Sequence, residues 1–453
     1  MQMYCLTFRV EPTTYNPHNS EVEGALATCW VLEDDPQSAY AKAAFNIQKY
    51  YWKILKVEHE PRVVTLADFA DRDIGTEHFL IAQKHGISTA FAAWSRDGGK
   101  PSGPIQHSYP DLNDLEEHLS KIRKSKRKGR CLHFDAGSRC THIVDAHSIQ
   151  KNGALSLIAE NGKVIAPSRN YTDFRHNQGT IALSLQGIGK VSTFRGFCAA
   201  HDNDVFAPID KGPVVPTREQ VLLYAYRSIC RELFVKEYSA VLYAEQAKQV
   251  PPDSVVHELL NGMRMGTEIG LKSLQYHKQI FDECINERLF SKMCYVLFCT
   301  GQKPNVVFSG VIYPDFDFLG RQLQNLADYT KPWGLLAFSF VPLEEGWGLL
   351  LSWHSTSSGA CIPFMRSLAT RIHENGDGGE FLFRFVIAGC ENMAVNPTWW
   401  RSLSDDQRTA IEHTVFHGAD VLKMPRADYL AAGLENVAAW NFEKVISQME
   451  PET

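Results

Sequence analysis

The chain lacks several things whose absence narrows its function. No stretch approaches the roughly 20 consecutive apolar residues that span a bilayer. The start, Met1-Gln2-Met3-Tyr4-Cys5-Leu6, has no basic region followed by an apolar stretch, so no secretory leader is read there. A cytoplasmic chain is therefore expected, with its 11 cysteines reduced and no membrane partner. There is no internal repeat and no low-complexity tract. A net charge of −6 excludes a uniformly basic nucleic-acid coat, though not a local basic patch. Phosphate-loop order is missing as well. Gly187-Ile188-Gly189-Lys190-Val191-Ser192 has no Gly-Lys-Ser/Thr triplet and no clear following helix. The polar run Trp353 to Cys361 gathers His, Ser and Cys without a nucleophile elbow.

What is present suits a soluble globular protein. At 453 residues the chain exceeds one ordinary core, and two or three domains are expected. Residues 1–120 read as an N-terminal α+β domain. Strands are expected over 3–10, 25–32, 54–64 and 89–94, and Asp35-Pro36 supplies an N-cap and first-turn proline for a helix to about Tyr51. Leu66 to Gly86 reads as mostly helical, and Asp97 to Pro101 as a turn. A short helix over 111–123 runs into the strongest charge block, 121–130, expected to be a basic linker. Within it Lys124, Lys126, Arg127, Lys128 and Arg130 are either a solvated boundary or an arm contacting nucleic-acid phosphates.

After Pro213–Pro216, residues 217–453 read as a C-terminal α+β domain. Thr217-Arg218-Glu219-Gln220 has capping-box spacing, and Leu222, Ala225, Ile229 and Leu233 continue a helical stripe. A second long helix, 253–289, makes an antiparallel hairpin with the first. Mainly antiparallel strands follow at 295–299, 306–313, 335–341 and 348–353, with another at Phe381–Ile387. Helices are expected near 361–373, 404–417 and 437–449. Glu391 to Trp400, carrying two tryptophans that could stack on bases or cations, reads as a ligand-recognising edge or, more commonly, as a packed loop before the next helix.

Chemistry concentrates in 131–212. Cys131 and Cys140 form one pair, and Cys198 and His201 a second with CxxH spacing. Two thiolate-rich pairs suit a tetrahedral Zn²⁺, because CxxH brings both side chains to one ion from a tight turn or helix start. The eight-residue gap in the first pair calls for a loop of its own, and His133 and His142 stand close enough in sequence to replace one of the four. The plain alternative is four separate buried thiol and imidazole groups. Between the pairs, Leu155 to Val164 around Asn161-Gly162 reads as a hairpin with a type I′ turn. A polar stretch, 168–180, follows it.

Ala146-His147-Ser148-Ile149, just after a cysteine pair, and Phe197-Cys198-Ala199-Ala200-His201-Asp202 with Phe206 resemble the two conserved elements of HNH endonucleases, the zinc-stapled branch of the His-Me finger class. The resemblance covers about 80 of the 453 residues. It implies a multidomain α+β protein with a central zinc-stapled HNH-like ββα module between two α+β domains. It further implies that Cys131, Cys140, Cys198 and His201 hold structural zinc, and that His147 is the general base. Asp202, where the family usually has His, then holds a catalytic Mg²⁺ or Mn²⁺, for which a carboxylate is a suitable hard ligand. A histidine suits that base role because its ordinary pKa lies near neutrality. Asp145, two residues before His147, falls on the same strand face. The family's middle Asn has no counterpart in Val191–Gly196, where Ser192, Thr193 or Arg195 substitute only in part. The resemblance implies metal-dependent phosphodiester hydrolysis, of a kind that in bacterial proteins often acts against foreign DNA, with nucleic acid as partner and a protein partner or oligomer allowed. The other reading is a non-catalytic, zinc-braced binding or regulatory protein.

Overall fold

The computed structural model describes the chain except for residues 70–72, 97–121, 123, 125–127, 139, 168–182, 376–377, 420–425 and 452–453. The expected turn at 97–101, the helix at 111–121, the polar stretch 168–180, and Lys126 and Arg127 lie outside the described residues. The chain divides into two compact units: residues 1–123 with 240–265, and residues 124–239 with 266–453. Both mix helix and strand, as an α+β protein should. Among the described residues no helix is long and apolar enough to cross a membrane.

In the first unit β1 (Gln2–Pro12), β2 (Val22–Glu33), β3 (Trp52–Val63) and β4 (Ile87–Ser95) form an antiparallel sheet in the order β3-β1-β2-β4. Side chains alternate across a strand, so one strand can serve two cores. Tyr4, Leu6, Phe8 and Val10 of β1 pack with Ala39, Ala43 and Ile47 of α1 (Pro36–Gln48). The intervening Met3 and Cys5 pack with Phe79 and Ala82 of α2 (Asp73–His85). The expected cap is in place: Asp35 Oδ1 accepts from the Ser38 backbone N–H at 2.8 Å, with Pro36 opening the helix.

The second unit is built on an eight-stranded sheet in the order β14-β9-β12-β11-β10-β13-β6-β7. Its strands are β6 (Lys163–Pro167), β7 (Leu183–Gly187), β9 (Met293–Thr300), β10 (Val306–Ile312), β11 (Leu336–Pro342), β12 (Trp347–His354), β13 (Met393–Val395) and β14 (Lys444–Gln448). Their pairings are antiparallel. A separate ribbon pairs β5 (Ile143–His147) with β8 (Thr193–Cys198), and β8 runs into α3 (Ala199–Asp210). Alternation again splits the core. Met293, Tyr295 and Leu297 face the same cluster as Leu222 and Ile229 of α4 (Arg218–Ala247), Leu274 and Phe281 of α5 (Val255–Asn286), and Cys131 and Cys198. Cys294, Val296 and Phe298 face α6 (Ser358–Asn375) and α7 (Gly379–Gly389). The segment carrying the cysteine pairs thus packs against α4, and it also lends β6 and β7 to the large sheet.

Three expectations change. Phe381–Ile387 is not a strand but lies within α7, whose residues 382–387 are all buried. Its short run of Phe, Leu, Val and Ile is one that a strand and a buried helix share, so the sequence alone does not separate them. Residues 437–449 hold no helix; β14 lies there, recruited by pairing with β9. Asn161 and Gly162 do take positive φ, 50° and 71°, as a type I′ turn requires. Residues 151–158 before them are helical, however, and β6 pairs with β7 and β13 instead.

Candidate metal centre

Four short pieces of chain bring the ligands together. Gly129 has φ +66°, and a Cβ there would stand 2.4 Å from the Arg195 carbonyl oxygen, so only glycine lets the chain lie this close to β8. Arg130 N–H then donates to Arg195 O at 3.0 Å and Leu132 N–H to Gly196 O at 2.8 Å, which sets Cys131 beside the end of β8. Cys140 closes a tight turn, its N–H donating to Gly137 O at 2.9 Å. Cys198 ends β8 and caps α3, its Sγ accepting from the His201 N–H at 3.5 Å. His201 is thereby placed in the first helical turn.

The four ligand atoms lie within 4.8 Å of one another. His201 Nδ1 is 3.3 Å from Cys131 Sγ, 3.5 Å from Cys140 Sγ and 3.3 Å from Cys198 Sγ. A tetrahedral ion with Zn–S near ~2.3 Å and Zn–N near ~2.0 Å separates sulfur from nitrogen by about 3.5 Å. The cluster can therefore hold a metal ion such as zinc with shifts of a few tenths of an ångström. Burial pushes the Cys131 thiol up to about 11. Burial also opposes ionisation of Cys198, but the His201 N–H, the neighbouring thiols and the Ala200 N–H outweigh it and bring the thiol below its ordinary range. The other two histidines do not ligate. His133 stacks on His201 with ring centroids 4.0 Å apart, and His142 is exposed.

His147 closes β5, paired with Thr193 of β8. Its Nε2 lies 3.1 Å from the Ile188 carbonyl oxygen, and a carbonyl only accepts, so Nε2 carries the proton and Nδ1 is the basic atom of the neutral ring. Burial lowers its pKa, with Lys151 and Arg227 adding to the effect. The ring is thus held neutral. Asp202 is half-buried in the first turn of α3, and burial raises its pKa while Arg227 opposes the rise. Asp145 is exposed and pairs with Arg195 at 3.4 Å; a bulge between Val144 and Ala146 breaks the alternation that set it beside His147. The candidates for the missing asparagine are all engaged. Ser192 bonds Ser148, Thr193 donates to Lys190 O at 3.1 Å, and Arg195 donates to Ile143 O at 2.9 Å.

Of the basic run, Lys124 and Lys128 are exposed, while Arg130 is ion-paired with Glu237. Sequence reasoning missed a buried polar group beside His147 and Asp202. Arg227 of α4 holds the Asp210 carboxylate with both terminal nitrogens, Nη1 at 2.9 Å and Nη2 at 2.5 Å, and its guanidinium lies 4.1 Å over the Phe206 ring. Gln150 Nε2 donates to Asp210 Oδ1 at 3.3 Å. Gln150 and Tyr224 are buried there as well, and Arg227 Nε has no hydrogen-bond partner among the described residues. The signal was available: Arg227 is the one charged residue in the apolar run Val221 to Cys230.

No protein-family model, curated protein or solved structure matches this chain.

Proposed function

We propose that residues 131–210 form a metal-dependent phosphodiesterase of the HNH type acting on nucleic acid. The observation that carries this reading is the His147 ring. Its Nε2–H is committed to the Ile188 carbonyl, its burial keeps it neutral, and its basic Nδ1 belongs to a strand paired with β8, which ends on Cys198 and runs into the helix that carries His201. A neutral imidazole with one oriented lone pair is what deprotonating a water near neutral pH requires. The β5–β8–α3 succession supplies the strand, strand and helix of a ββα finger.

The parts divide as follows. Cys131, Cys140, Cys198 and His201 hold structural zinc, which ties the start of the finger to the head of its helix. Asp202, a hard oxygen donor one residue after the last zinc ligand, holds a Mg²⁺ or Mn²⁺ ion. When bound, that ion supplies positive charge against the scissile phosphate and the departing oxygen. His147 Nδ1 takes the proton of the attacking water, and the ring keeps its orientation through Ile188. Lys124 and Lys128 are exposed cations at the entry to the finger and suit phosphate contact.

A zinc-braced protein without catalysis is the second reading, favoured by the engagement of Ser192, Thr193 and Arg195 in bonds of their own. Plasmid DNA and a structured RNA incubated with purified protein and Mg²⁺ or Mn²⁺ separate the two. Cleavage by the parent protein, lost in His147→Ala and Asp202→Ala with zinc retained, supports the nuclease. One zinc per chain with no cleavage of either substrate leaves the bracing role alone.

A further inference from the structure

His147 is followed by a buried hydrogen-bond network that no part of the proposed reaction uses. Ser148, Ser192 and Asn392 are 4, 5 and 3% exposed. Asn392 Nδ2 donates to Ser148 Oγ at 2.9 Å and to the Ser309 carbonyl of β10 at 3.0 Å. Ser309 N–H in turn donates to the Asn392 carbonyl at 3.1 Å, so side chain and backbone of Asn392 both clasp β10. The Ser148 and Ser192 hydroxyls are 2.7 Å apart. Ile149 N–H donates to Ser192 Oγ at 2.9 Å, and Ser148 N–H to Ser192 O at 3.0 Å.

Donor accounting gives the network a direction. Ser148 Oγ already accepts from Asn392. If Ser192 also donates to it, Ser148 keeps its own proton for the Ser192 carbonyl, 3.4 Å away. Every hydroxyl proton then has an acceptor, and Ser192 Oγ still accepts from Ile149. The arrangement is consistent only while Asn392 presents its amide nitrogen to Ser148. Ser192 meanwhile sits at φ 62°, a left-handed conformation that costs a non-glycine residue roughly 1–2 kcal/mol and persists only where its surroundings hold it. Ser148 follows His147, and Ser192 precedes Thr193, the strand partner of His147. The two residues that end the β5–β8 ribbon are thus fixed from the large sheet.

We infer that Asn392 is a positioning residue for His147, acting through Ser148 and Ser192 to fix the end of β5 and with it the direction of the imidazole. The inference rests on His147 being the base of the proposed reaction only for its effect on turnover; its effect on the ring stands apart from that. Displacing a reacting group by about 1 Å costs roughly 100-fold in rate. Asn392→Ala and Ser148→Ala are accordingly expected to lower kcat for plasmid nicking with Mn²⁺ by about 10- to 100-fold, with KM changed by less than about threefold, since neither residue binds substrate.

The test pairs that assay with the ring nitrogen shifts of His147 in ¹⁵N-histidine-labelled full-length protein, assigned by loss of the signal in His147→Ala. The parent should show the Nε2–H tautomer, and both variants should move toward a mixture while keeping one zinc per chain and the parent's circular dichroism. A merely structural bond would lower the melting temperature and leave the tautomer alone. Unchanged shifts and unchanged kcat in folded Asn392→Ala or Ser148→Ala overturn the inference, even if the parent protein is a nuclease. Shifts that move in a parent protein without nuclease activity uphold the positioning and remove the nuclease reading. Should Asn392→Ala fail to fold, Ser148→Ala loses one hydroxyl only and carries both readouts.

Discussion

Replacing Cys198 by serine separates the two tasks of that residue. In the structure Cys198 is at once one of the four groups that could hold a metal ion and the N-cap of α3, its Sγ accepting the His201 N–H at 3.5 Å. Serine is among the best capping residues, and a hydroxyl makes a shorter and stronger bond than a thiol. Without metal, Cys198→Ser should therefore be as stable as its parent, or more stable by up to about 1 kcal/mol. With metal the sign reverses. Structural zinc contributes about 10–16 kcal/mol in small finger peptides, so losing one ligand of four costs on the order of 3 kcal/mol or more. That loss weakens zinc binding by roughly 100-fold or more. The assay is a competition titration against a zinc-chelating dye, with urea unfolding of both proteins in EDTA and in zinc. The reasoning is refuted if Cys198→Ser binds zinc as tightly as the parent, or if it loses the same stability in EDTA as in zinc.

Further outcomes follow from other parts of the fold. Gly129→Ala puts a Cβ 2.4 Å from the Arg195 carbonyl in a left-handed conformation; a loss of roughly 2–4 kcal/mol by urea unfolding is expected, with weaker zinc retention because Cys131 moves with it. Arg227→Leu leaves the Asp210 carboxylate without its guanidinium. Asp210 has a 41% exposed side chain and water screens it, so the expected loss by urea unfolding is about 1–3 kcal/mol, below that of a fully buried pair. Burial, aided by His277 and Lys292, holds His354 down at about 4. Between the unfolded value of about 6.5 and that folded value the unfolded chain alone binds the proton, so stability is present above pH 6.5 and falls toward pH 4 by about 3 kcal/mol. Asn at 354 keeps an acceptor for the Thr356 N–H, which His354 Nδ1 now receives at 3.2 Å, and cannot titrate; His354→Asn should flatten that acid limb in urea midpoints measured from pH 7 to pH 4.

The tetrad was legible in the sequence because metal chemistry restricts ligand type and CxxH spacing is local. Cys198 and His201 needed only a helix start, whereas the strand that leads into it, Thr193–Cys198, was not read. Cys131 and Cys140 were legible as a pair, but the glycine that lays them against β8 was not, since its reason is a carbonyl 66 residues away in the chain. The helix at Gly379–Gly389 was misread because its short run rich in Phe and Val suits a strand as well as a buried helix. The strand at Lys444–Gln448 was misread because its pairing with β9 is nonlocal and its side chains are mostly exposed. Gln150, Tyr224 and Asp210 carry no motif. They became a group only when α3 and α4 packed around Arg227. Asn392 was read as part of a loop over Glu391–Trp400, where the structure instead has a strand at Met393–Val395 and a helix at Pro397–Ser402; its bond to Ser148 spans 244 residues, and no local rule reaches that far.

That span matters to a chain made from one end. At ~5–20 residues per second, Asn392 leaves the ribosome roughly 12–50 s after Ser148. Through that interval β6 has β7 on one side and waits for β13 on the other, a sheet edge open to any strand that meets it. The cysteine pairs, all made by residue 201, can capture metal long before the sheet that surrounds them is complete. A metal ion captured at that stage would hold the early ribbon in register until its late partner arrives, and zinc-starved cells should then accumulate the full-length chain in aggregates rather than as soluble apoprotein.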